Sequence, residues 1–342
     1  MRKNLLAVLL AMTLCTACAV AEQKKSAAII PGDGSFEMAV VGDIMPGRRM
    51  VSLIEEKGID YIFQDVAPVL KECPIVFGNL ETPLVYENTE KDLKKNGKKS
   101  VYMMTEEKAA DGIKNAGFNI LSLANNHSLD YGQNGINQTM EILKARGINF
   151  NGVKKGDLSK PNEPTVIEVN GTKVGFLCYS EVSPWKFQAT QTKYGTMPAI
   201  FKEMKRDIKY ARPKVDILVI YLHWGKEGKR VQRFQKVNAK KILDFGADLL
   251  ISSHTHLFQD IEMYKNKYIF YGLGNFVFDM QDDATKASAI IKLKIRDKKI
   301  ADAKIIPVSI EDYRPILLND GKKVTDFLLG LNLVNLTLSD IY

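Results

Sequence analysis

The sequence is poor in the residues that support thiol chemistry. Its 342 residues include only 4 Cys, and Cys15 and Cys18 lie close to the N-terminus. The other two, Cys73 and Cys178, each sit in an apolar run, which predicts structural burial. Beyond the N-terminal segment there is no CxxC pair, and two cysteines are too few for a four-cysteine zinc site or a disulfide framework.

Two common catalytic signatures are also missing. No Gly-x-Ser-x-Gly nucleophile elbow occurs, which argues against serine hydrolase chemistry. Gly272-Leu273-Gly274 is not followed by Gly-Lys-Ser/Thr, so it is not a phosphate-binding loop. No linker or internal repeat divides the chain, and its 45% hydrophobic and 26% charged residues are ordinary for a globular protein. We therefore expect one large domain.

The first 21 residues have the pattern of a secretory signal peptide. Arg2 and Lys3 precede an apolar stretch, Leu5–Leu14, that is too short for an ordinary membrane span. This predicts an exported protein of the cell envelope. Cleavage after Ala21 would release a soluble protein, whereas cleavage before Cys18 would leave a cysteine for lipidation, as in bacterial lipoproteins. Both routes fit the residues, and we adopt the lipid anchor as the working hypothesis.

The chain is basic, with a formal net charge of +8 at pH 7. A basic surface attracts an acidic polymer or an anionic lipid, although a solvated lysine surface would explain the same charge. The densest run, Lys91 to Lys99, is predicted to be an exposed loop. No stacking aromatic residues alternate with these lysines, which argues against a nucleic-acid partner.

Apolar strands, polar motifs and helices alternate along the chain, which predicts a parallel sheet with helical crossovers. Predicted strands cover 36–45, 74–77, 119–124, 215–222 and 247–252, and predicted helices cover 106–116, 133–146, 201–211 and 231–245. Asn170-Gly171 predicts a hairpin turn between 165–169 and 172–179. This hairpin and the β-rich segments after residue 268 predict a second sheet stacked on the first. Residues 286–342 are predicted to be β-rich and to complete the same domain.

All 4 histidines lie in three short segments at the ends of predicted strands. Sites in open α/β sheets form outside the carboxyl ends of strands, and histidine is the commonest metal ligand. Asp43, Asn79 and Glu81 stand at two further strand ends, and Asn126 precedes His127. The pattern therefore predicts one metal centre, in which His127 could protonate a leaving oxygen.

Five motifs resemble the CapA family of poly-γ-glutamate capsule biosynthesis proteins, within the calcineurin-like metallophosphoesterase superfamily. They are Gly42-Asp43-Ile44-Met45, Gly78-Asn79-Leu80-Glu81-Thr82-Pro83, Ala124-Asn125-Asn126-His127-Ser128-Leu129-Asp130-Tyr131-Gly132, His223-Trp224-Gly225-Lys226-Glu227 and Leu273-Gly274-Asn275-Phe276-Val277-Phe278-Asp279. The resemblance covers residues 36–285. It implies an α/β fold, a metallophosphatase-like four-layer α/β/β/α sandwich with mixed sheets.

The resemblance also implies the roles of individual residues. The metal ligands it implies are Asp43, Glu81, Asn126, His223, His254 and His256. The implied catalytic residues are His127, as general acid, and Asp130. Asn79, Trp224 and Asn275 are candidate substrate residues, with packing as the alternative role of Trp224 and structural hydrogen bonding as the alternative role of Asn275. The implied cofactor is one or two divalent ions, and the nitrogen and oxygen ligands suit Mn, Fe or Zn.

Three positions depart from the superfamily motifs: Met45 replaces a histidine, Asn79 replaces a bridging aspartate and Ser253 replaces a glycine. Glu81 is the candidate substitute carboxylate. Two functions follow as hypotheses. The protein is a metal-dependent extracytoplasmic hydrolase or transferase acting on a phosphoester or a γ-glutamyl polymer, or a non-catalytic, membrane-attached component that binds acidic polymer alongside other capsule-synthesis membrane proteins.

The lipid-anchor hypothesis predicts that Cys18→Ser moves the protein from the membrane fraction to the soluble fraction, because serine cannot carry the thioether-linked lipid. Mass spectrometry of the wild-type N-terminus should find an acylated Cys18. Cys15→Ser is the matched control and should stay with the membrane. A mature chain that begins at Glu22 would contradict the hypothesis.

Overall fold

The structure is a computed structural model that describes residues 34–87, 89, 93–97, 99–280 and 282–342. The predicted signal segment, 1–21 with Cys18, lies outside the described residues, as do Lys91 and Lys98 of the lysine run. Ser35–Tyr342 forms one compact unit. Among the helices described, none combines the length and the apolar character needed to cross a membrane.

The strands are, in chain order, β1 (Phe36–Ile44), β2 (Ile75–Leu80), β3 (Leu84–Val85), β4 (Thr105–Glu106), β5 (Ile120–Ser122), β6 (Asn149–Asn151), β7 (Val153–Lys154), β8 (Thr165–Val169), β9 (Thr172–Ser180), β10 (Gly195–Thr196), β11 (Ile217–His223), β12 (Leu249–Ser253), β13 (Ile261–Tyr264), β14 (Lys267–Phe270), β15 (Asn275–Val277), β16 (Ala287–Arg296), β17 (Lys299–Glu311), β18 (Arg314–Leu317) and β19 (Leu333–Val334). The α-helices are α1 (Val51–Lys57), α2 (Ala67–Lys71), α3 (Ala109–Asn115), α4 (Gly132–Ala145), α5 (Phe201–Ala211), α6 (Arg233–Phe245), α7 (Asp283–Lys286) and α8 (Gly321–Leu329).

The large sheets are both mixed. The first has the order β18-β17-β16-β1-β2-β5-β6, with β15 also paired to β1, and the second has the order β19-β13-β14-β12-β11-β9-β8. In the first sheet β1 runs parallel to β2 and antiparallel to β16. The predicted hairpin is confirmed, since Val169 pairs with Thr172 and the turn residues Asn170 and Gly171 have φ of 49° and 73°.

Alternate residues of a strand pack into different layers of the sandwich, because successive side chains face opposite sides of the sheet. On β1, Met38 and Val40 enter a cluster shared by both sheets, whereas Ala39 and Val41 pack with α1–α4. On β11, the alternate residues pack against α5 and α6. The predicted four-layer α/β/β/α sandwich is therefore confirmed.

The layer between the sheets is densely aromatic. Phe77 of β2 stacks on Phe176 of β9 with ring centroids 5.5 Å apart and an interplanar angle of 3°. Burying large aromatic rings contributes much of the hydrophobic stabilisation of a core. This contact fixes the first sheet against the second close to the strands that carry the polar motifs.

Residues after 285 belong to both sheets. β16 pairs with β1 at the centre of the first sheet, and β19 pairs with β13 at the edge of the second. Between β16 and β19 in the chain lies α8, a helix that the sequence pattern does not predict. Asp320 caps this helix by accepting a hydrogen bond from Lys323 N at 2.9 Å.

Gly42 allows the backbone of β1 to approach the segment before β15. A Cβ on Gly42 would lie 2.0 Å from the carbonyl oxygen of Gly274, so no larger residue fits without movement. The adjacent Asp43 N donates to Gly274 O at 3.0 Å, and Asp43 lies in register with Asn275. The position of Asp43 therefore depends on residue 42 being glycine, which has no side chain.

We predict that Gly42→Ala lowers the free energy of unfolding by about 1–3 kcal/mol, because overpacking forces the backbone of a buried site to shift. Urea denaturation followed by circular dichroism measures the loss. Gly321→Ala is the matched control, since a Cβ there meets nothing within 4 Å, and it should be neutral or slightly stabilising. Equal stability of the two variants would contradict the role given to Gly42.

Candidate metal centre

Asp43 lies fully buried near the end of β1. Its Oδ1 accepts hydrogen bonds from Asn79 Nδ2, at 2.8 Å, and from Ser253 Oγ. Its Oδ2 accepts only a long bond, 3.4 Å, from His254 N and lies 3.8 Å from His256 Nδ1. Burial and the neighbouring Glu81 charge raise the pKa of Asp43 to about 6. Asp43 is thus largely ionised at neutral pH, with Oδ2 as the oxygen left for a cation.

Glu81 follows β2 and is also fully buried. Neither of its carboxylate oxygens has a hydrogen-bond partner among the described residues, and His223 Nε2 stands 3.6 Å from Oε1. Burial alone would raise the pKa of Glu81, but the imidazoles of His223, His256 and His127 bring it below its usual range. Glu81 therefore carries a buried charge that no hydrogen bond compensates, which is unfavourable without a cation.

Two groups of side chains bring their ligand atoms within 4.8 Å of one another: Glu81 with His223 and His254, and Asp43 with Glu81 and His256. Glu81 belongs to both groups. Asn126 Oδ1 lies 2.9 Å from His223 Nε2, so it stands beside the first group. All six predicted metal ligands therefore meet at one place.

The two histidines after β12 adopt a rare backbone conformation. His254 has φ of 102° and His256 has φ of 58°, both in the left-handed region that costs energy for residues other than glycine. Such strain concentrates at functional sites. Burial lowers the pKa of His254 to about 2, so its ring is neutral at physiological pH and can offer a lone pair.

His256 is oriented by Asn275. The ring Nδ1 lies 2.8 Å from Asn275 Oδ1, which only accepts, so Nδ1 carries the hydrogen and Nε2 remains for a ligand. Burial opposes protonation of His256, but Glu81 and Asp43 outweigh it and raise the pKa of the ring. Acid should therefore protonate His256 readily and compete with a bound cation.

His127 and Asp130 form a hydrogen-bonded dyad. His127 Nδ1 donates to Asp130 Oδ2 at 2.7 Å, and Asp130 is fully buried. Lys99 Nζ donates to Asp130 Oδ1 at 2.5 Å and to Asn126 O at 2.8 Å, while Met103 N donates to Asp130 Oδ2 at 2.8 Å. Since Nδ1 is committed to Asp130, His127 can exchange a proton only through Nε2.

One member of the dyad and one residue of a ligand group open into a cleft of about 480 Å³. The predicted site residues that line it are Asn126, His127 and His256. Charged side chains of both signs surround them: Arg48, Arg49, Lys99, Glu227, Asp279 and Asp282. Arg48 Nε pairs with the nearly buried Asp279 at 3.3 Å, which holds the guanidinium at the edge of the cleft.

A family model described as "Bacterial capsule synthesis protein PGA_cap" matches residues 37–280. The chain belongs to the PGA_cap family. It is 32% identical over 284 residues to "Capsule biosynthesis protein CapA" of Bacillus anthracis, an alignment that covers 81% of this chain and 68% of that one. It is 31% identical over 287 residues to "PGA biosynthesis protein CapA" of Bacillus subtilis (strain 168), covering 83% and 74%. The predicted resemblance to the CapA family is confirmed.

Similarity to solved structures is much weaker. The 5'-nucleotidase precursor from Thermus thermophilus aligns with 86% of this chain and 58% of that one, at 11% identity and a TM-score of 0.48. A similarity of that size assigns no activity to this PGA_cap member. The chemistry of the site has to be argued from its own residues.

Three residues that the sequence places near substrate lie behind the cleft of this PGA_cap chain. Asn79 and Asn275 are fully buried, and their amide groups bond to Asp43 and His256. Trp224 is 1% exposed and packs edge-on against Phe234, at 6.0 Å between centroids. Asn79 and Asn275 orient ligand side chains, whereas Trp224 belongs to the core under α5 and α6.

Sequence reasoning missed Asn125, which ties the PGA_cap motifs together. Its Nδ2 donates to Asn79 Oδ1 at 3.1 Å and to Leu80 O at 2.8 Å, and its Oδ1 accepts from His127 N at 3.0 Å. The adjacent asparagines 125 and 126 differ only in burial, which the sequence does not report. Lys99 was likewise visible only as part of a lysine run.

Proposed function

We propose that this PGA_cap family member is a metal-dependent hydrolase or transferase of capsule synthesis. Its substrate would carry a phosphoester or the γ-glutamyl bonds of an anionic polymer. One observation carries the proposal: Glu81, a buried carboxylate with no hydrogen-bond partner in the described part of the chain, is common to two ligand groups that adjoin the His127–Asp130 dyad. The names of the two Bacillus relatives, which refer to capsule and PGA biosynthesis, support the pathway.

The donor set fits divalent metal ions. Carboxylate, carboxamide and imidazole donors suit Mn, Fe or Zn, and the fully buried Glu81 needs a positive partner. The two groups would hold two ions, and Glu81 would contribute to both sets of ligands. Asn79 cannot bridge in place of an aspartate, because its Nδ2 donates to Asp43 at 2.8 Å. Met45, at 0% exposure, packs in the core instead of reaching the site.

A bound divalent ion would supply Lewis-acid polarisation of a phosphoryl or carbonyl oxygen and activation of water. His127 would donate a proton from Nε2 to the leaving oxygen or nitrogen. Asp130 holds the ring in place and stabilises its protonated form, and Lys99 compensates the buried charge of Asp130. Arg48 and Arg49 would attract an anionic substrate into the cleft.

A second candidate is a non-catalytic component that binds acidic polymer at the membrane. Met45 and Asn79 remove one imidazole and one carboxylate from the superfamily motif, and the chain carries a net charge of +8. In either case we propose an exported protein of the cell envelope, anchored through Cys18 and working with other membrane proteins of capsule synthesis.

We predict that the purified mature protein holds ~2 transition-metal ions per chain and that Glu81→Gln loses most of both, because the neutral amide cannot bridge two cations. Elemental analysis by mass spectrometry measures the ions. Glu262→Gln is the matched control: Glu262 is also buried, at 2% exposure, but bonds to Tyr271 away from the site. Wild-type protein without stoichiometric metal would remove the proposal.

We predict that His127→Ala lowers kcat by about 10²–10⁴-fold on the substrate that the wild type cleaves, with metal content unchanged, because the proton donor is lost. Parallel assays on a phosphodiester and on poly-γ-glutamate identify that substrate, and Glu262→Gln again serves as control. Salt-sensitive polymer binding that survives His127→Ala, with no turnover by the wild type, would favour the non-catalytic candidate.

A further inference from the structure

Buried hydroxyl groups connect the two sheets beneath the metal ligands. Ser253 Oγ donates to Asp43 Oδ1, and Tyr221 Oη lies 2.5 Å from Ser253 Oγ and 3.0 Å from His223 Nδ1. All four side chains are buried, with exposures between 0% and 1%. We name this chain of contacts, from Asp43 through Ser253 and Tyr221 to His223, the hydroxyl relay. It joins a ligand of one metal group to a ligand of the other.

The number of available hydrogens determines which atom donates in each hydrogen bond of the hydroxyl relay. Two oxygen atoms at 2.5 Å repel each other unless a hydrogen lies between them. The Asp43 carboxylate only accepts, so the Ser253 hydrogen is used there, and the hydrogen between Ser253 and Tyr221 belongs to the tyrosine. A tyrosine hydroxyl carries its hydrogen at neutral pH. The tyrosine oxygen must then accept from His223, which places the ring hydrogen on Nδ1.

The other contacts of His223 Nδ1 do not favour a different arrangement. Asn79 Nδ2 and Ser253 Oγ both lie 3.4 Å away, farther than the 3.0 Å of Tyr221. Asn79 also has a better acceptor in Asp43, at 2.8 Å. Tyr221 is therefore the closest partner of Nδ1 among the described residues.

A hydrogen on Nδ1 leaves Nε2 of a neutral His223 with a lone pair. That lone pair faces Asn126 Oδ1 at 2.9 Å and Glu81 Oε1 at 3.6 Å, and neither oxygen can donate. Three acceptors this close repel one another unless a cation lies among them. The arrangement is therefore the one a metal ion requires.

We propose that Ser253 and Tyr221 are positioning residues that hold His223 in its Nδ1–H tautomer and leave Asp43 with a single free oxygen. His223 then presents only Nε2 to the metal centre, and Asp43 presents only Oδ2. This inference rests on the proposed metal site. Partners behind the ligands fix the tautomer and orientation of metal-bound imidazoles, and their loss weakens metal binding.

The first test is metal affinity, measured by calorimetry with Zn²⁺ on the mature protein after its metal has been removed with a chelator. Ser253→Ala and Tyr221→Phe each remove one oxygen and should weaken binding by about 10–100-fold. The matched controls should bind as the wild type does. Ser252→Ala changes a neighbouring buried serine whose hydroxyl has no partner in the described part of the chain, and Tyr179→Phe changes a buried tyrosine bonded to Asp207. Variants that bind as tightly as their controls would overturn the inference.

The second test is the tautomer itself, which a merely structural role would not alter. Nitrogen-15 NMR of metal-free protein at neutral pH should show His223 as the Nδ1–H form in the wild type and in both controls. Ser253→Ala and Tyr221→Phe should shift it towards the Nε2–H form, which can donate to Asn126 Oδ1. A wild-type ring in the Nε2–H form would overturn the inference.

The two tests separate this inference from the proposed function. Wild-type protein that binds no Zn²⁺ removes the metal site, and the metal-free NMR spectrum still decides whether the relay sets the tautomer. Wild-type protein that binds Zn²⁺, with both relay variants indistinguishable from their controls, removes the relay alone. Thermal unfolding of each variant shows that it is folded.

Discussion

An ionised carboxylate enclosed by protein is stable only with donors or a cation beside it, and Glu81 has no hydrogen-bond donor among the described residues. Around it lie the imidazoles of His223, His254 and His256 and the carboxylate of Asp43. Most of these atoms accept hydrogen bonds and do not donate them. A divalent ion would resolve this excess of acceptors, which is why the proposed metal site centres on Glu81.

The fold brings these acceptors together because the carboxyl ends of strands in one sheet face those of strands in the other sheet. Asp43 and Glu81 come from the first sheet and its following loop, and His223 comes from the second. Gly42 permits the close backbone contact that sets the position of Asp43. Asn125 ties the end of β2 to the loop that carries His127. The dyad therefore stands beside the ligands, as the proposed general acid catalysis would require.

Much of this was predictable from the sequence, since apolar runs and turn residues locate β1, β11, β12 and α5 to within a few residues. The histidine segments at strand ends indicated one site. The remainder depends on contacts between distant segments: Tyr221 and Ser253 meet only when β11 pairs with β12, and Ser253 reaches Asp43 only when the sheets stack. Likewise, the sequence does not show that Asn125 is more buried than Asn126, or that Lys99 donates a hydrogen bond to Asp130; both follow from the fold. Short helix α8 was missed because strand-forming residues dominate its surroundings.

The central proposal is that Glu81 would serve two metal ions at once, since it belongs to both ligand groups. Two-metal sites hold their ions ~3.5–4 Å apart, close enough for the electron spins of two Mn²⁺ ions to couple. Electron paramagnetic resonance of mature protein loaded with two equivalents of Mn²⁺ tests this directly. The account predicts the spectrum of a spin-coupled pair, which Glu81→Gln should abolish. A spectrum of isolated Mn²⁺ alone, at full occupancy of the wild type, would contradict it.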